Sequence, residues 1–281
     1  MATRQAVGRW AAVAAALLLG APGCSSEPGA PAPVKKAEVP AAKELDLGGG
    51  VTMKLALIPA GKFMMGSPDS EQGRSKDEGP QHGVTLSKSF YMGVTEVTQA
   101  QYEAVMGTNP SHFQGATNPV EEVSWNDARE FCKKLSEKTR QAVRLPTEAE
   151  WEYACRAGTA TAFSFGDADS ALGDYAWYRA NSGWKTHPVG QKKPNAWGLF
   201  DMHGNVLEWC TDLYGEYPKG PVTDPSGSAT GDRGYLVLRG GSWIRADAGA
   251  FRCANRSSNG PSVRDFNYGL RVVVSVSAPG L

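Results

Sequence analysis

The sequence carries no excess charge of either sign: Lys and Arg number 29, and so do Asp and Glu. A balanced surface supplies no field to gather nucleic acid, and none is expected as a partner. Charged residues make up only 21% of the chain, with four histidines and five cysteines. His82, His112, His187 and His203 show no metal-ligand spacing such as H-E-x-x-H, so they read as loop hydrogen-bonders rather than zinc ligands. Ser242 lacks a G-x-S-x-G frame, which makes it a turn serine in Gly-Gly-Ser and not a nucleophile. There is no internal repeat, and no long periodic segment follows Gly158 until the end of the chain. A helix bundle is therefore excluded. Glycine (33), proline (18) and tryptophan (8) are plentiful, and 41% of residues are hydrophobic. That mixture builds a core and suits a loop-rich fold whose irregular segments are pinned by large aromatics.

The N-terminus is read as targeting sequence. Arg4 and Arg9 precede an Ala/Leu-rich run from Trp10 to Gly20, too short for a comfortable membrane span. Leu19-Gly-Ala-Pro-Gly-Cys24 resembles a bacterial lipoprotein box, whose cysteine becomes the lipidated terminus; an ordinary signal cut nearby is the alternative. Residues 1–24 are accordingly expected to be a lipoprotein signal peptide with Cys24 lipidated. Residues 25–50, rich in Pro, Ala, Ser and charge, are expected to be a disordered tether. The folded domain is assigned to 51–278. The protein is expected to be exported, lipid-anchored to a bacterial membrane and facing the periplasm or cell surface.

Met53–Pro59 reads as a strand, with Phe63–Gly66 as its hairpin partner, and Val84–Phe90 alternates with period two before Tyr91–Glu96 continues the sheet. A short helix is signalled over Thr98–Met106, capped by Thr98 or Thr95; capping boxes signal others at Ser124 with Asp127 and most strongly at Thr147 with Glu150, with Gly158 as a stop. The second helix would bury Ala128, Phe131, Cys132 and Leu135. Val237–Arg239 and Leu270–Val276 read as strands, the latter apolar enough for a sheet centre.

Between them lies Trp197–Asp212, where seven large apolar residues surround Gly198 and Gly204, and Asp201 and Glu208 stand seven positions apart. This reads as a buried loop tied down by hydrogen bonds or an ion.

At Arg144-Leu-Pro-Thr-Glu-Ala-Glu-Trp-Glu-Tyr-Ala-Cys155 the chain resembles the formylglycine-generating enzyme (sulfatase-modifying factor) family. Phe63–Gly66, Asp77–Pro80, Glu96–Thr98, Val123–Trp125, Gly204-Asn205, Glu208-Trp209, Arg239–Trp243 and Gly269–Arg271 follow in the family's order. The resemblance covers roughly residue 51 onward. It implies an α+β, C-type-lectin-like fold, loop-rich, with two main helices against small twisted antiparallel sheets.

Active members oxidise a sulfatase cysteine to formylglycine with a copper ion held by two cysteines just after Gly-Gly-Ser. Here Arg245 stands at the first of those positions, and no cysteine lies between Ser242 and Arg252. Without soft thiolates copper is not expected, and no residue is assigned as catalytic.

The resemblance further implies a Cys155–Cys253 disulfide. Val272 replaces the usual partner of Cys132, which is left either to pair with Cys210 or to stay a buried thiol. A structural calcium site is implied at Asp201, Gly204, Val206 and Glu208; the competing reading has Asp201 capping a turn and Glu208 pairing with an arginine. Diversified ligand-binding lipoproteins share the scaffold and carry variable residues on the last loop. Trp243, Arg245, Asp247, Asn259, Asp265, Phe266 and Asn267 are therefore expected to bind a protein or glycan ligand, against the alternative that Arg252, Arg256 and Arg264 are structural ion pairs and few residues face a partner. A divergent oxidoreductase or maturation factor acting on protein side chains is the other functional reading.

Overall fold

Three boxes, each a hydroxyl residue followed three positions later by Gln, Asp or Glu, start the helices. In the computed structural model, which describes residues 42–227 and 234–276, Thr98 and Gln101 cap α1 (Gln99–Met106), Ser124 and Asp127 cap α2 (Trp125–Thr139), and Thr147 and Glu150 cap α3 (Glu148–Arg156). In each box the hydroxyl accepts the third amide of the helix, and the third side chain accepts the cap amide. Helix α2 buries Ala128, Phe131, Cys132 and Leu135, the face expected from its periodicity. Helix α3 ends where Ala157 turns left-handed at φ 46°, one residue before Gly158.

The strands are β1 (Ala42–Asp46), β2 (Thr52–Ile58), β3 (Gly61–Met65), β4 (His82–Leu86), β5 (Phe90–Gly93), β6 (Val143–Arg144), β7 (Leu207–Leu213), β8 (Val222–Thr223), β9 (Leu236–Arg239), β10 (Ser257–Asn259), β11 (Tyr268–Gly269) and β12 (Val273–Ser275). They form a five-stranded sheet in the order β1-β2-β5-β12-β6, a four-stranded sheet β10-β9-β7-β11 and a three-stranded sheet β3-β4-β8. Pairing is antiparallel except for β7–β11 and β4–β8, which are parallel. The fold is α+β and loop-rich, as the sequence implies. β12 lies inside the largest sheet, where the apolar run Val272–Val274 is fully buried.

Three expectations are corrected. The stretch read as tether contributes β1, whose Leu45 is buried and pairs with Met53, because even a short apolar alternation gains by covering a sheet edge. β3 is not the hairpin partner of β2: Pro59 and Ala60 carry the chain into another sheet, where β3 pairs with β4. The second half of the Trp197–Asp212 segment is not loop but β7, buried from Leu207 to Cys210.

α1 and α2 pack on one apolar cluster that includes Leu55, Phe131, Leu135, Trp209 and Val272. α3 packs on a second one with Ile58, Trp151, Trp197 and Val237. The chain from β9 to β12 runs over these layers as the last loop. Cys24 and the segment read as a signal peptide lie outside the described residues, and no described helix is long and apolar enough to cross a membrane.

Candidate functional site

The last loop leaves β9 through Gly240 and Gly241, both left-handed at φ 103° and 70°. A Cβ on Gly241 would come within 2.5 Å of the Phe251 ring, so only glycine fits this turn. Beyond it the loop's arginines separate by role. Arg239 meets Glu148 and Glu152, Arg252 meets the half-buried Glu71 and the buried Glu78, Arg256 holds Glu148 at 2.7 Å, and Arg271 holds Glu208 at 2.8 Å. Arg264 pairs with Asp127 at the surface, 2.8 Å away. These charges are structural, as the alternative reading of Arg252, Arg256 and Arg264 has it.

Of the seven residues expected to bind ligand, four serve the loop itself. Trp243 is 3% exposed and donates from Nε1 to the Phe266 carbonyl. Asn267 is buried and donates to Ser242 Oγ, while Asn259 donates to the Tyr268 hydroxyl. Asp265 is half-buried, and its carbonyl accepts the Glu122 amide. Arg245, Asp247 and Phe266 are exposed. Arg245 has no carboxylate partner among the described residues, nor does it pair with Asp247. Asp247 accepts the Gly249 amide and lines a cleft of about 640 Å³. Sequence reading missed the far wall of that cleft: Glu71, Asp167 and Asp169 face it alongside Asp247, with Arg252 between them. Their only sequence signal is polarity in loops distant along the chain.

The loop from Asp201 to Glu208 is built by carboxylates of this chain. Asp201 takes a left-handed φ of 60°, and its Oδ2 accepts the Gly190 amide at 2.7 Å. Gly204 has no room for a side chain, since a Cβ would lie 2.5 Å from the Trp177 carbonyl oxygen. Glu96, which the sequence offers only within the Glu96–Thr98 motif and not as a site residue, reaches in from the bend after β5: one oxygen accepts the Val206 amide at 3.0 Å and the other the Asn205 side chain at 2.8 Å. Its signal was a lone acid inside the apolar stretch Tyr91–Val97.

Glu208 is saturated. Arg271 donates to both its oxygens, and Trp151 Nε1 donates to Oε2 at 2.7 Å. Burial, then the Asp201 and Glu208 charges, push Glu96 well above the usual carboxylate range; burial lifts Asp201 to about 6. Glu208 therefore pairs with an arginine, as the competing reading has it, while Asp201 keeps one buried oxygen, Oδ1, without a partner among the described residues.

Cys155 and Cys253 are brought together, as the family pairing implies, but their sulfurs are 3.5 Å apart and unbonded. His203 Nε2 lies 4.0 Å from Cys155 Sγ. The imidazole donates from Nδ1 to the Phe251 carbonyl and accepts the Ser164 hydroxyl at Nε2, and burial lowers its pKa to about 4, so it is neutral. Cys132 and Cys210 are separate buried thiols.

A family model described as the sulfatase-modifying factor enzyme 1-like domain matches residues 50–276. The chain belongs to that family. It is 33% identical to the "Chaperone protein LppX" of Paenibacillus barcinonensis, over 69% of this chain and 80% of the relative. It is 31% identical to the formylglycine-generating enzyme of Streptomyces coelicolor, over 86% of this chain and 94% of the enzyme. Among solved structures, Treponema denticola variable protein 1 superposes with a TM-score of 0.77 at 34% identity, covering 84% of this chain and 100% of that one. Within this sulfatase-modifying factor scaffold, Arg245 and Asp247 share an exposed segment of the last loop, and Asp247 lines a cleft.

Proposed function

We propose that this sulfatase-modifying factor family domain is an exported, lipid-anchored binding protein that takes a protein or glycan ligand on its last loop and performs no formylglycine chemistry. One observation carries the reading: an exposed Arg245, without a carboxylate partner among the described residues, stands where the resemblance expects a copper thiolate. An arginine offers no lone pair to a soft metal, whereas an uncommitted guanidinium on an exposed loop is a recognition group. Fold alone does not assign an activity. A relative named as a chaperone and a neighbour named as a variable protein are compatible with binding without turnover. The test is crosslinked capture from the source envelope with the full-length chain, read by mass spectrometry. Arg245→Ala should lower recovery of the captured species about tenfold while leaving the melting temperature within about 1 °C, since a surface side chain without partners contributes little to stability. Equal capture by both proteins would remove the last loop from the account.

A further inference from the structure

A tryptophan more than half exposed, at 54%, stands next to the last loop on a backbone that tryptophan seldom adopts. Gly183 and Trp184 are both left-handed, at φ 59° and 64°, and Trp184 is held there by the Ser182 hydroxyl, which accepts its amide at 3.2 Å. Ser182 Oγ in turn donates to the Trp243 carbonyl at 3.0 Å, and the Arg179 amide donates to the Arg245 carbonyl at 3.0 Å. Two backbone-directed bonds thus fasten the Trp184 turn to the segment that carries Arg245. The Arg179 guanidinium lies 4.5 Å from the centre of the Trp184 ring.

Charge distinguishes this surface from the rest of the loop. Arg239, Arg252, Arg256, Arg264 and Arg271 each hold a carboxylate. Arg179, Lys185 and Arg245 are exposed and have no carboxylate partner among the described residues. Arg179 covers one face of the fixed, exposed indole, Lys185 follows it in the chain, and Arg245 is tied to the same turn through its carbonyl; cations without carboxylate partners beside an exposed ring call for an anionic partner with a flat apolar face. A polyacidic peptide would satisfy the cations and leave the ring without a role. A sugar ring that carries a carboxylate or sulfate uses both: its C–H face packs on the indole while the acid meets Arg179 or Arg245.

We infer that Arg179, Trp184 and Arg245 form a binding platform for an acidic saccharide, of the uronate- or sulfate-bearing class. This deepens the binding reading above and rests on it.

The experiment titrates the purified full-length chain with oligogalacturonate and with a heparin-derived oligosaccharide, by calorimetry at low and at physiological salt. Neutral dextran, polyglutamate and phosphatidylglycerol vesicles serve as comparison arms. Saturable binding to at least one acidic saccharide is expected, weakened about tenfold by Trp184→Ala and by Arg179→Gln, and unchanged by Arg264→Gln, whose charge is committed to Asp127 elsewhere. The far-ultraviolet spectrum and melting temperature of each variant establish that it is folded. Three results would overturn the platform: no saturable binding to either saccharide, polyglutamate bound as tightly with no effect of Trp184→Ala, or vesicles preferred to both sugars. If the saccharides fail while Arg245→Ala still abolishes capture of a partner, the binding reading stands and only its ligand class falls.

Discussion

Replacing Arg271 by methionine should be among the most damaging single changes available in this protein. The guanidinium is fully buried, donates to both oxygens of Glu208, and satisfies the carbonyls of Gly93 and Phe200 at 2.9 and 2.8 Å. Around it stand three buried carboxyls, Glu96, Asp201 and Glu208. Without the arginine an extra carboxyl of this trio must take up a proton to stay buried. At pH 7 that costs about 1.36 kcal/mol for each unit between the solution pH and a reference near 4.3, roughly 3.7 kcal/mol. Two carbonyls left without a donor add about 1–2 kcal/mol. The sum, about 5 kcal/mol, matches the range for breaking a buried ion pair and corresponds to a fall of about 10–20 °C in melting temperature for a domain of this size. The sign with pH follows. An acid held above its unfolded value binds protons more tightly in the folded state, so its stability contribution is full at low pH and lost as pH rises. The deficit of the variant should therefore shrink by about 2 kcal/mol between pH 7 and pH 5.5. Urea unfolding at the two pH values, followed by circular dichroism, measures both quantities. A deficit under about 1 kcal/mol, or one that does not change with pH, would refute this description of the loop.

Burial and the neighbouring Glu148 raise Asp212 to about 7, so its contribution to stability is full below about pH 4 and is lost as the pH climbs through 7. Asp212→Asn should come within about 1 kcal/mol of the wild type near pH 4.5 and exceed it by about 3 kcal/mol at pH 8 in the same unfolding assay, since the amide oxygen can still accept the Glu148 amide. The last-loop arginines should divide sharply. Arg256→Ala takes from the buried Glu148 its nearest cation, leaving Arg239 at 3.5 Å and the Tyr217 hydroxyl, and should cost about 3 kcal/mol, whereas Arg264→Ala breaks an exposed pair and should cost less than about 1 kcal/mol.

What could be read from the sequence follows from how local each signal is. The capping boxes at Ser124 and Thr147 each sit within four residues of chain and start helices where the spacing says they should, and of the two threonines offered for the first helix Thr98 is the cap. The apolar run at Val272–Val274 gave away its central place in the sheet in the same way. The burial of the stretch from Trp197 to Asp212 was legible in its apolar content, yet β7 within it was invisible because its partners, β9 and β11, come from distant sequence. β3 was placed beside β2 on proximity alone, and the break at Pro59 sent it elsewhere. At the candidate site the order of the glycines and acids was legible, but the partner of Glu208 was not. Arg271 lies 63 residues on, and only packing decides between a metal and a guanidinium. The Arg179–Trp184 stack was missed because neither a lone arginine nor a lone tryptophan in a loop carries a periodic signal.

The central claim is that Arg245 replaces a metal thiolate and turns this scaffold from chemistry to binding. The most direct measurement incubates the purified full-length chain with a cysteine-containing sulfatase peptide, copper(I), a thiol reductant and oxygen, and follows the peptide by mass spectrometry with aldehyde-specific labelling. The account predicts that the cysteine persists unchanged at every time point. Catalytic conversion of its thiol to an aldehyde, above a control without protein, would contradict it.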